Sequence, residues 1–269
     1  MVGAVLRAYA SGALFGESFG SSEPWVLALH GWARRGSDFA PVLAARSVAS
    51  GGSGSGMDTG SDGRDPAVDA IALDLPGFGA TPPPPRAWGS AEYAERVGAV
   101  LAGMAPRVVL VGHSFGGRVA VHLATQHPER VAGVVLTGVP LFRPSGPRPR
   151  PDRAYRLVRG FARSGLVGDE RLERSRERHG SADYRAASGV VRDVLVTVLG
   201  ESYEAVLGEI SCPVSLVWGE EDHEVPVEVA RRAAVAIQHA EVVVLPGIGH
   251  MTPIDAPRAI RDALLRLRP

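Results

Sequence analysis

Lysine is absent from this chain: all 29 basic residues are arginine, and they balance 29 acidic residues to a formal net charge of zero. Such a balance supplies no chain-wide basic field, so no nucleic-acid partner is expected. Cysteine occurs once, at Cys212, which excludes an intramolecular disulfide and fits a reducing compartment. No apolar run approaches the roughly 20 residues that a membrane span requires. The N-terminus also lacks a basic stretch followed by a signal-type apolar core, and the expectation is a cytoplasmic protein with no membrane span.

What is present is an ordinary globular composition, 45% hydrophobic over 269 residues, enough for one large domain or one domain carrying an inserted subdomain. Short apolar runs alternate with helical patterns. Strands are expected at Val2–Tyr9, Trp25–His30, Ala70–Leu73, Val108–Gly112, Val131–Thr137, Val214–Trp218 and Glu241–Leu245. Helices are expected near Phe39–Ala45, Ala91–Gly103, Arg118–His127, Val227–Ile237 and Pro257–Leu267. Several strand runs are almost continuously hydrophobic, as strands covered on both faces must be. The alternation predicts an α/β fold with a mostly parallel, doubly wound sheet.

Two segments break the rhythm. Residues 50–63 (SGGSGSGMDTGSDG) are Gly/Ser-rich and read as a surface loop. Residues 141–207 lie between the strands at Val131–Thr137 and Val214–Trp218, open on RPSGPRPRPD, and are too long for an ordinary connection. They predict an inserted helical cap on a core formed by 1–140 and 208–269. Between Arg143 and Arg185 twelve arginines face six acids, a local excess of +6. A solvated basic surface accounts for that excess, and attraction of an anionic acyl substrate is the functional alternative.

The chemistry concentrates at strand ends. Val108–Gly117 (VVLVGHSFGG) runs from a β-branched strand through Gly-x-Ser-x-Gly into a helical pattern, the context of a nucleophile elbow that pushes the Ser114 hydroxyl into a cleft. A serine needs a base to take its proton and an acid to hold that base in the right tautomer. Asp222 follows the strand VSLVWG, with Glu220 and Glu221 as competitors for the acid. His250 follows VVVLPGIG and completes the order Ser, Asp, His. Of the other histidines, His122 and His127 fall in the helix after the elbow, His179 in the cap, and His239 before a strand. His223 adjoins Asp222 too closely for the usual base-to-acid geometry. The strand at Trp25–His30 ends in His-Gly-Trp, which offers the Trp32 amide, with that of Phe115, as an oxyanion hole. His30, Gly31, His113 and Met251 are expected to border the substrate. This chemistry calls for no metal and no cofactor.

With these residues assembled, the chain resembles the α/β-hydrolase superfamily across nearly its full length. The likeness is carried by HGW at His30–Trp32, DLPGFG at Asp74–Gly79, GHSFGG around Ser114, GEEDHEVP around Asp222 and GIGHMTPIDAP around His250. It implies a Ser114–Asp222–His250 triad and a cap after the strand at Val131–Thr137, where residues 141–207 lie. Haloalkane dehalogenases and epoxide hydrolases carry aspartate in place of Ser114, and proline iminopeptidases a Gly-Gly-Ser-Trp-Gly elbow. Carbon–carbon hydrolases have a longer Gly-Pro-rich loop after His-Gly, where this chain reads Trp-Ala-Arg-Arg-Gly. What remains resembles serine esterases and cofactor-free perhydrolases. The expectation is a serine hydrolase that cleaves a small-molecule carboxylic ester through an acyl-enzyme, as a monomer or homodimer. The alternatives are a tailoring enzyme performing lyase, acyl-transfer or cyclisation chemistry, a carbon–carbon hydrolase, or a non-catalytic ligand-binding receptor.

Overall fold

The computed structural model describes residues 4–47, 64–143 and 182–269. The Gly/Ser-rich stretch 50–63, His179 and most of the arginine-rich stretch 143–185 lie outside the described residues. The chain divides into two compact units, one of Met1–Pro83, Ser90–Phe142 and Ser202–Pro269, the other of Pro84–Gly89 and Arg143–Glu201.

The larger unit is built on eight strands: β1 Val5–Tyr9, β2 Leu14–Phe19, β3 Val26–Leu29, β4 Ala70–Asp74, β5 Val108–His113, β6 Val131–Thr137, β7 Val214–Gly219 and β8 Ala240–Leu245. They lie in the order β1-β2-β4-β3-β5-β6-β7-β8. β2 runs antiparallel to β1 and β4, and every other neighbouring pair is parallel. β2 was not expected from the sequence: LFGESF breaks the hydrophobic run with glycine and glutamate. Gly16 is needed there, because a Cβ would press on the Ala72 backbone of the paired strand.

The helices that follow these strands are α1 Ala40–Leu43, α2 Ser90–Gly98, α3 Phe115–Gln126, α4 Ala182–Ala186, α5 Gly189–Leu199, α6 Glu204–Leu207, α7 Val227–Ala236, α8 Thr252–Asp255 and α9 Pro257–Arg266. The helix expected over Phe39–Ala45 is only the single turn of α1, entered through a 3₁₀ turn at Gly36–Phe39. The period of two along each strand sorts the core into layers. Val26, Ala28, Ala70, Ala72, Val109 and Val111 pack with Val42 and Leu43 of α1 and with Ile260, Ala263 and Leu264 of α9. Their alternates Leu27, Leu29, Ile71, Leu73 and Leu110 are also buried, on the face that meets α3. A sheet covered on both sides is the condition under which parallel strands are stable.

β3 is succeeded along the chain by β4 on one side and by β5 on the other, so the strand order reverses there. Crevices open at the carboxyl ends of strands at such a switch point. Residues 202–207, assigned to the cap by sequence, belong to the larger unit. Tyr203 is fully buried in it, bonded through its hydroxyl to Ser90 Oγ at 2.7 Å and through its N–H to the Leu141 carbonyl. Within the smaller unit, the Arg192 guanidinium lies over the Tyr184 ring at 5.1 Å. No helix among the described residues is long and apolar enough to cross a membrane.

Candidate active site

Ser114 sits between the last residue of β5 and the first of α3 with φ 49° and ψ −112°, a left-handed conformation for a residue that has a Cβ. Strain of this kind costs on the order of 1–3 kcal/mol. It is held by what flanks it: all six residues of β5 are buried, as are nine of the twelve in α3. Burying each Val or Leu in those flanks contributes about 1.5–3 kcal/mol, so packing on either side outweighs the strain. The glycines of the motif permit the close approach. A Cβ on Gly116 would run into the Leu29 carbonyl oxygen, and one on Gly112 into the Gly117 backbone. α3 therefore begins at Phe115, three residues before the sequence pattern suggested.

Asp222 and His250 come from two loops stitched together by main chain. Glu220 N–H donates to Leu245 O at 3.0 Å and Glu221 N–H to Ile248 O at 2.9 Å, joining the loop after β7 to the loop after β8. Glu220 and Glu221 themselves point to solvent, while Asp222 is buried. Its Oδ1 accepts from the Glu224 and Val225 amides, and its Oδ2 accepts from His250 Nδ1 at 2.8 Å. A carboxylate can only accept here, so the Nδ1–H is fixed on Asp222 and the Nε2 lone pair is left available. Burial lowers the His250 pKa, but the Asp222 hydrogen bond and the charges of Asp222 and Glu224 outweigh it, and the net shift is upward.

Gly138 brings the three residues together. Ser114 N–H donates to the carbonyl of the adjoining Thr137 at 3.0 Å. Gly138 has φ +58°, and a Cβ there would lie 2.9 Å from His250 Nδ1 and 3.3 Å from Asp222 Oδ2. Any side chain would wedge the histidine away from the elbow. Among the described residues Ser114 Oγ and His250 Nε2 share no hydrogen bond.

The loop after β3 approaches from the other side. The Trp32 and Phe115 amides donate to no acceptor among the described residues, and their rings meet edge to face at 5.4 Å. Phe78 joins them, 5.0 Å from Trp32, and Tyr93 stands 5.1 Å from Phe115. Gly31 is buried against His113 and Ser114, and Met251 is half-buried beside His250.

Two of the residues expected to border the substrate are buried at strand ends. His30 is buried, with Nε2 accepting from Leu75 N–H at 2.9 Å and Nδ1–H donating to Gly31 O at 2.7 Å. Burial pushes its pKa down to about 4, so it stays neutral and ties the end of β3 to the loop after β4. His113 is equally buried, its Nε2 3.0 Å from the His250 carbonyl. Burial and then the nearby His250 push it down to about 3. Both His30 nitrogens and His113 Nε2 are engaged by protein groups at these strand ends. These contacts tie loops to the strand ends.

Asp74, in the DLPGFG stretch, was not singled out as a site residue. Its buried carboxylate accepts from Gly36 N–H and Ala80 N–H, both at 2.8 Å, which clamps the loops after β3 and β4 around Trp32 and Phe78. A lone Asp at a strand end before Pro-Gly was the only available signal. Asp74→Ala leaves two donors without a partner, at a cost of about 2 kcal/mol or more. A clear fall in melting temperature is expected by calorimetry, and an unchanged value would contradict the clamp.

The sequence profile of the Alpha/beta hydrolase family matches residues 26–263. The chain belongs to this family. As an α/β hydrolase it is similar to a 2-hydroxy-6-oxononadienedioate/2-hydroxy-6-oxononatrienedioate hydrolase of Cupriavidus pinatubonensis, 28% identical over 70% of this chain and 72% of the relative. It is also similar to a pimeloyl-[acyl-carrier protein] methyl ester esterase of Chromobacterium violaceum, 27% identical over 88% of this chain and 91% of the relative. The solved structure of a thermophilic esterase from Thermogutta terrifontis shares the fold, with a TM-score of 0.61, 22% identity and all of both chains covered. No group of three or more His, Cys, Asp or Glu among the described residues is arranged to hold a metal ion.

Proposed function

We propose that this α/β hydrolase is a serine carboxylester hydrolase acting on small molecules without metal or cofactor. The observation that carries the reading is the His250 imidazole, held by Nδ1 on a buried carboxylate beside a strained serine elbow. In this reading His250 Nε2 takes the Ser114 proton as Oγ attacks the ester carbonyl. The Trp32 and Phe115 amides receive the developing oxyanion, the one charge that the unreacted ester does not carry. The imidazolium then gives its proton to the leaving alcohol, leaving an acyl-serine. Water, deprotonated by His250, releases the acid and restores the serine.

The test is a panel of p-nitrophenyl esters together with a fluorophosphonate probe. Turnover and covalent labelling at Ser114 are expected, and a chain that does neither would refute the reading. The base works only when neutral, so kcat/KM should fall toward low pH with a limb above the ordinary histidine value of about 6.5. The direction follows from the raised His250 pKa. An acid limb well below 6.5 would contradict the ion pair with Asp222.

A carbon–carbon hydrolase is the second reading, favoured by the similarity to the oxononadienedioate hydrolase. Ring-cleavage dienoates bleach on hydrolysis, so a loss of their visible absorbance exceeding ester turnover would select it.

A further inference from the structure

The loop after β7 brings a second carboxylate to His250 that the proposed chemistry leaves without a role. Glu224 Oε2 lies 3.7 Å from His250 Nε2, on the opposite side of the ring from Asp222. The two carboxylates differ in every physical respect that matters here. The Asp222 side chain is 0% exposed and takes two backbone amides, so its charge is spent inside the protein. The Glu224 side chain is 74% exposed, and its carboxylate has no hydrogen-bond donor among the described residues. Its charge is presented to whatever comes to Nε2.

In ester hydrolysis the group that comes to Nε2 is the leaving alcohol, because that nitrogen returns the proton. We propose that Glu224 sets the charge preference on the leaving-group side of the site, favouring esters of neutral or cationic alcohols over esters of anionic ones. Its carboxylate attracts an ammonium group near the alcohol oxygen and repels a carboxylate at the same place. Around His250 the other charged or titratable groups are Asp222, which is already paired, and His113 at the end of β5, which burial keeps neutral. Arg34, in the loop after β3, acts on His113 and is ion-paired with Asp38. None of these offers an unpaired negative charge at Nε2, so the preference rests on Glu224. The 3.7 Å separation is a Coulombic contact rather than a hydrogen bond, and it leaves Nε2 open to Ser114.

The substrate arm of the test rests on the ester-hydrolase reading above; a second arm does not. With the acyl group fixed at the best one in the p-nitrophenyl panel, kcat/KM is measured for three alcohol portions. These are choline, its uncharged isostere 3,3-dimethylbutanol, and 3-hydroxypropionate. Glu224→Gln is expected to lower the choline-to-hydroxypropionate ratio about fivefold, the size expected for one solvent-exposed charge at this distance. The uncharged ester should change least, and the difference should shrink at high salt. A ratio that does not move would overturn the proposal. Independently of turnover, the His250 ring titration followed by NMR in the full chain should move to lower pH in Glu224→Gln. A midpoint that stays in place would show that Glu224 does not act at Nε2 and would likewise overturn it. If no ester is hydrolysed at all, the ester reading fails, and this second arm still decides where the Glu224 charge acts.

Discussion

Ser114→Ala is expected to reduce p-nitrophenyl ester hydrolysis by about 10⁴- to 10⁶-fold and to abolish fluorophosphonate labelling. The loss is large because every step of the proposed cycle passes through Oγ: it attacks the carbonyl, carries the acyl group and is the leaving atom in deacylation. Nothing else near the elbow can replace it. His113 is buried with Nε2 3.0 Å from the His250 carbonyl, and Cys212 is a buried residue just before β7, the strand whose other end leads to Asp222. Folding should be unaffected. Alanine meets the same strained backbone angles as serine, and the hydroxyl makes no hydrogen bond among the described residues whose loss would cost stability. Circular dichroism and the melting temperature should therefore match the parent. A variant that keeps near-full activity would remove the nucleophile from the proposal.

Asp222→Asn should be nearly as damaging, about 10⁴-fold in kcat, although it removes no group that touches substrate. The Glu224 and Val225 amides donate to Oδ1, so an asparagine placed in the same pocket keeps its carbonyl oxygen on them. Its NH₂ group then faces His250 Nδ1 and can only donate. The imidazole must turn Nδ1 into an acceptor and carry its proton on Nε2, where the Ser114 proton has to go. The same change removes the hydrogen bond and charge that hold the His250 pKa up. The acid limb of any residual activity should therefore move to lower pH. A variant with intact kcat would show that Asp222 does not set the tautomer. Ser114→Ala and Asp222→Asn together should cost little more than Ser114→Ala alone, because the two residues act in one unit.

How much of this could be read in advance depended on whether the signal was local. VVLVGHSFGG announces its own geometry: a buried strand, glycines where backbones touch and a helix at once. Asp222 and His250 were legible because each follows a nearly continuous apolar run, which marks a strand end in a parallel sheet. β2 was not legible, since an antiparallel strand with glycine and glutamate inside it owes its existence to its partners β1 and β4. The contacts of His30 and His113 were not legible for a related reason. They stand next to the proposed chemistry along the chain, and their ring nitrogens also meet Leu75 and the His250 carbonyl, partners distant in sequence.

The sequence by itself determined the family, the alternation of strands and helices, and the strand-end positions of the residues proposed as nucleophile, base and acid. Those properties reside in short windows, where periodicity and backbone sterics act on near neighbours. The tertiary structure alone decided what each group is free to do. Asp222 rather than Glu220 or Glu221 is buried and aimed at His250, Asp74 clamps two loops distant in sequence, and Glu224 is left with its charge facing Nε2. Burial and hydrogen-bond partnership depend on segments tens of residues apart, and they fix whether a carboxylate is a clamp, an orienting group or an exposed charge.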